Sequence, residues 1–94
     1  MAILIDPSQW PGHGRMWSHV ASDVGPEELH AFALHAGIPA RAFDRDHYDV
    51  PAEWYDDMVA AGARPVSSRE LVRALLGAGL RRRRVPARVL RNAS

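Results

Sequence analysis

Three sets of helix punctuation constrain what this chain can fold into more than any other feature. Pro26, Glu27 and Glu28 open a segment that Gly37 closes. Proline suits the first helical position, acids favour the positive end of the helix dipole, and glycine suits the left-handed residue after the last turn. Pro51 and Gly62 bracket a second segment in the same way. Ser67-Ser68-Arg69-Glu70 has the spacing of a capping box and opens a third segment that stops at Gly79. Before the three helices lie short strand-like runs at residues 2–5, 40–43 and 63–66. The alternation predicts an α/β fold, a small three-stranded parallel sheet with helices packed on it in one layered domain.

The apolar positions agree with the helices. Leu29, Phe32, Ala33 and Ala36 fall on one stripe of the first helix. Trp54, Tyr55, Met58 and Val59 supply the inner face of the second, and Leu71, Val72 and Leu75 that of the third. The stretch 8–24 contains Pro11, Gly12 and Gly14 and has no clean period. It is predicted to be mostly loop, with a helical turn or a short strand both compatible with 15–21. Residues 44–50 are polar and are predicted to be loop as well.

Ninety-four residues suffice for one domain and leave no room for two independent cores. That domain is expected over residues 1–80, followed by an arginine-rich tail at 81–94. The net charge is +1, but it is unevenly spread: the tail holds six arginines and no acid, and the first eighty residues carry a formal −5. There is no cysteine, which excludes disulfides, thiolate zinc sites and a cysteine nucleophile, and suits a cytoplasmic location. The opening apolar run at 2–5 is too short for a signal peptide or a membrane span, so no membrane partner is expected.

Five residues are candidates for a site: Asp6, His19, Asp23, His47 and Asp49. All are carboxylate or imidazole, the ligands that first-row divalent ions accept. Ligands in open parallel sheets bind outside the carboxyl ends of the strands. Asp6 follows the first strand-like run, His47 and Asp49 follow the second, and Ser67 and Ser68 follow the third. The expected site is therefore a divalent-metal centre at the carboxyl edge of the sheet, with Asp6, His19, His47 and Asp49 as ligands. Asp23 would be a further ligand or would orient one.

Without a metal, His47 beside Asp49 would make an oriented general base, so these two are the candidate catalytic residues. Ser18 and Ser67 are possible nucleophiles, but neither sits in an elbow motif. The structural alternative gives every member of the set a plain role: Asp6 ends a strand, Asp23 caps a helix, and the histidines are satisfied by hydrogen bonds. His30 reads as a partly buried polar residue, His35 as solvated, and His13 as mobile between two glycines. Trp10 and Trp17 suit packing over the sheet edge or stacking on a ligand, and Trp54 suits the core.

The pattern also resembles a family of small bacterial and phage proteins, domain of unknown function 4031. The resemblance rests on Ile5-Asp6, Arg15-Met16, His19, Asp23, Glu28-Leu29-His30, Ala33, Gly37-Ile38, His47-Tyr48-Asp49-Val50 and Ala61-Gly62-Ala63. In that family the first strand often ends in two acids, whereas Pro7 follows Asp6 here. The resemblance implies that these positions act as a set and supplies no activity.

Two functions are expected from the residues. One is a metal-dependent hydrolase acting on a phosphoester, a nucleotide or another phosphate-containing small molecule. The other is a non-enzymatic interaction module that binds a protein partner or a nucleic-acid backbone through its loop tryptophans and basic tail. No recognition motif accompanies the tail, so specific nucleic-acid binding is not expected.

Overall fold

The computed structural model describes residues 2–79. They form a six-stranded mixed sheet flanked by three helices. The strands are β1 (Ile3–Ile5), β2 (Trp10–Gly12), β3 (Arg15–Ser22), β4 (Phe43–Asp44), β5 (His47–Pro51) and β6 (Arg64–Pro65). The helices are α1 (Pro26–Ala36), α2 (Tyr55–Ala60) and α3 (Ser68–Gly77). The sheet runs β4-β5-β3-β1-β6, and β2 lies beside β1 on the same edge of β3.

The expected three-stranded parallel sheet is therefore wrong. Among the described residues only β1 and β6 pair in parallel; the remaining pairings are antiparallel. The error lies in the two segments read as loops. In the first, Pro11 and Gly12 sit in β2, an edge strand, where a missing ladder donor is tolerated. His13 and Gly14, with φ of 49° and 75°, form the two-residue turn into β3. Positive φ at both central positions matches the twist of a hairpin, so His13 is held in a tight turn.

Strand β3 lacks a visible period because Val20, Ala21 and Ser22 are all buried, with the sheet covered on both faces at that end. In the second segment, β4 and β5 form a hairpin through Arg45 and Asp46. A short 3₁₀ turn, Ala40–Ala42, replaces most of the expected second strand.

The helices follow their punctuation more closely. Gly37 closes α1 at φ 81°, and Ser67 and Glu70 make both bonds of the capping box at the start of α3. Pro51 ends β5, a 3₁₀ turn at Ala52–Trp54 follows, and α2 begins only at Tyr55. Trp54 and Val72, expected inside, are both exposed. Asp23 does not cap α1. Its carboxylate accepts from the Ala2 N–H at 2.8 Å, while Ser22 Oγ accepts from the N–H groups of Val24 and Gly25 at the helix entry.

Strand alternation divides the core in two. Ile3, Ile5, Val20, Tyr48 and Val50 pack with Leu29 and Ala33 of α1 and Met58 of α2 on one face. Leu4 and Ala21 pack with Leu71 and Leu75 of α3 on the other. The tail at 81–94 lies outside the described residues. No helix among the described residues is long and apolar enough to cross a membrane.

Candidate metal centre

The candidate site lies on a face of the sheet, away from the carboxyl edge expected for it. In β3 and β5, His19 pairs directly with Asp49 across the antiparallel ladder. His47 precedes Asp49 by two residues and so projects from the same face. Helix α3 covers this face over β1 and the Ala21 end of β3, and leaves His19 of β3 and Asp49 of β5 on an open groove. The alternate residues Tyr48 and Val50 fill the opposite core.

Three side chains converge. His47 Nε2 lies 3.1 Å from Asp49 Oδ1, and His19 Nε2 lies 3.8 Å from the same oxygen. One ligand atom from each residue falls within 4.8 Å of the other two. Bonds of about 2.05 Å in a tetrahedral shell separate neighbouring ligand atoms by about 3.3 Å. The observed spacing brackets that value.

Each imidazole is also held from behind. His19 Nδ1 is 2.9 Å from Asp6 Oδ2, and His47 Nδ1 is 2.7 Å from Asp46 Oδ1. Both rings thus have a carboxylate at each nitrogen. A neutral imidazole has one N–H and one acceptor nitrogen. If Nδ1 donates to its anchor, Nε2 presents a lone pair to the Asp49 carboxylate, which is repulsive. Either a second proton or a cation between Nε2 and Asp49 relieves this. Three carboxylates around two imidazoles leave a formal −3 when the rings are neutral, and a divalent ion would offset most of that charge.

Asp6 is an anchor here. It is 1% exposed and accepts four hydrogen bonds. Oδ1 takes the His19 backbone N–H at 2.6 Å, the place a carbonyl would fill in an unbroken ladder. Oδ2 takes His19 Nδ1, Trp10 Nε1 at 2.9 Å and Ser68 Oγ at 3.1 Å. Burial on its own pushes the Asp6 carboxyl up; the donors from the His19 side chain, its backbone and Trp10 together hold it below the ordinary 3.8. Every buried side-chain nitrogen and oxygen among the described residues has a partner, so the polar chain from Ser68 to Asp6 to His19 is satisfied.

Of the five expected residues, the fold gathers His19, His47 and Asp49, with Asp6 directly behind His19. Asp23 is four residues beyond His19, roughly 13 Å further along the strand direction, where it ties down the backbone of Ala2. Asp46, Ser68 and Trp10 were missed as members of the site. Asp46 carried one signal, its position beside His47 in a polar turn. Ser68 was expected at the same sheet edge as Asp6 and Trp10 over that edge, but their bonds to Asp6 depend on long-range packing. His30 lies on the opposite face, where Nδ1 is 2.6 Å from the hydroxyl of buried Tyr48.

Beside the triad runs an open groove of roughly 790 Å³, lined in part by His19, Asp49 and the three tryptophans, Trp10, Trp17 and Trp54. No curated protein and no solved structure gives a match. Residues 3–78 match the model of a family described as protein of unknown function (DUF4031), a span that includes every residue of the triad and its anchors, and the chain belongs to that family.

Proposed function

We propose that His19, His47 and Asp49 hold a divalent first-row metal ion and that the protein uses it to hydrolyse a phosphate-containing small molecule. The observation that carries this reading is the double orientation of the imidazoles. Asp6 and Asp46 fix both Nδ1 positions, which aims both Nε2 atoms at the carboxylate of Asp49. A carboxylate behind each ligating histidine is the usual way a metal site fixes ring orientation and raises ligand basicity.

Three protein ligands leave a coordination position open, as catalytic sites require. A bound ion lowers the pKa of coordinated water towards neutrality and polarises a phosphoryl oxygen. Asp49 lines the groove, and its carboxylate oxygen not engaged by the ion can accept a proton from the attacking water. In the reaction, the water oxygen bonds to phosphorus, the ester P–O bond breaks, and the alcohol leaves with the proton that Asp49 took from the water, which restores the carboxylate. His47 and Asp49 thus bind the ion and, in Asp49, also serve the proton transfer.

The test is elemental analysis of gently purified protein together with hydrolysis of p-nitrophenyl phosphate. Near-stoichiometric metal is expected, with hydrolysis abolished by a chelator and restored by metal. Metal without any phosphoester hydrolysis would keep the centre and discard the reaction. Metal-free protein that binds no divalent ion would discard both.

A further inference from the structure

We propose that the groove beside the triad binds a nucleoside phosphate, with its base on the tryptophans and its phosphate at the metal. The proposal deepens the hydrolase reading and rests on it for the position of the phosphate. All three tryptophans of the chain line this one groove, although they come from β2, β3 and the 3₁₀ turn before α2. Trp10 and Trp54 stay 43% and 36% exposed there.

The indoles are positioned for stacking. Trp10 Nε1 donates to Asp6 and Trp17 Nε1 donates to the Gly12 carbonyl at 2.7 Å, so both polar edges are already satisfied. Trp10 and Trp54 keep exposed surface for a ligand, whereas the Trp17 ring already has Arg15 over it and His13 edge-on at 6.5 Å, and base–aromatic stacking tolerates any base. The Trp10 ring lies 4.9 Å from the His19 ring, which puts an aromatic platform directly beside the ion's ligands.

The charges fit the same ligand. Arg15 and Arg41 both line the groove, and guanidinium pairs well with phosphate. Arg15 also sits over the Trp17 ring at 5.9 Å and pairs with Glu53 at 3.4 Å, both at exposed positions. Asp49 is committed to the ion. Asp44 is the other lining carboxylate, and its end suits a base or sugar better than a phosphate. The volume falls in the usual range for small-molecule sites, about 300–1,000 Å³. A bare phosphate or a sugar phosphate would leave the tryptophans unused. A free nucleotide and the phosphorylated end of a nucleic acid share the required chemistry.

The experiment titrates the metal-loaded full chain with a nucleoside 5′-monophosphate, ribose 5-phosphate and inorganic phosphate, followed by calorimetry and tryptophan fluorescence. The nucleotide should bind at least about 5-fold tighter than ribose 5-phosphate and quench the tryptophans. Trp54→Ala, which touches none of the polar chain, should weaken that preference without lowering metal content. Trp10→Phe keeps a ring face and should retain part of it. A 5′-phosphorylated oligonucleotide that binds tighter than the free nucleotide identifies a chain end as the source; the reverse identifies the free nucleotide. Equal affinity for nucleotide and ribose 5-phosphate at full metal loading overturns the proposal and leaves the metal centre standing. If no metal binds, nucleotide binding with quenching would still support the groove assignment, and its absence would end both.

Discussion

Strand β5 faces two environments. Tyr48 and Val50 enter a core closed by α1 and α2, whereas His47 and Asp49 enter a face that α3 leaves open. Strand β3 repeats the division with Val20 on one side and His19 on the other. The larger apolar core thus lies behind the triad, and the front face is spared for polar groups that would weaken a core. The two faces should respond oppositely to substitution. Closed-face changes should cost folding and leave nothing to assay, while open-face changes should cost metal and leave the fold.

The largest expected effect is on the closed face. Val50→Asp buries an unpaired carboxylate against α1 and α2 and should cost about 4 kcal/mol or more, enough to unfold a small domain. A melt monitored by circular dichroism checks this, and a cooperatively folded variant would break the contrast between the faces. On the open face, Asp49→Asn should lower metal affinity by more than about 100-fold, beyond what loss of an outer partner costs. Its metal-free form should melt no lower than the native chain, because one of three clustered carboxylates is gone. Calorimetric metal titration beside a thermal melt separates the two effects.

The anchors sharpen the comparison. Asp46→Asn should cost about 10–100-fold in metal affinity with little change in stability. Asp6→Asn should lower metal affinity too, but it should also destabilise the fold by about 1–3 kcal/mol, since four donors converge on that buried carboxylate. Asp6 would then be the residue on which folding and site geometry depend together.

The smallest effect is in pH. The folded Asp6 carboxyl sits below its ordinary 3.8, so its contribution to stability is fully present above that value. It should be lost as pH falls through the lower folded value. Metal-free protein unfolded by urea at a series of acidic pH values should show this loss, and Asp6→Asn should show less of it.

What the sequence made legible follows from range. The helix boundaries rest on local chemistry, and Pro26, Gly37, Ser67 and Glu70 act where the residues themselves predicted. The sheet was misread because its central strands carry the site. Ser18 and His19 are polar within β3, and His47 and Asp49 within β5, so each strand looked like loop. The alternation of His47, Tyr48, Asp49 and Val50 was visible, but its polar half was read as site residues on a loop, so the strand went unseen. The grouping of His19, His47 and Asp49 depends on the β3–β5 register, which no local signal sets. Asp6 and Ser68 did meet where parallel β1 and β6 end, the one part of the edge argument that applied to a parallel pair.

The central claim concerns where an ion sits, and anomalous X-ray diffraction from crystals grown with zinc or manganese measures that directly. One strong peak is expected about 2.0–2.2 Å from His19 Nε2, His47 Nε2 and an Asp49 oxygen together, with Asp6 and Asp46 still bonded to the two Nδ1 atoms. Full metal occupancy elsewhere, or no peak among these three side chains, would contradict it.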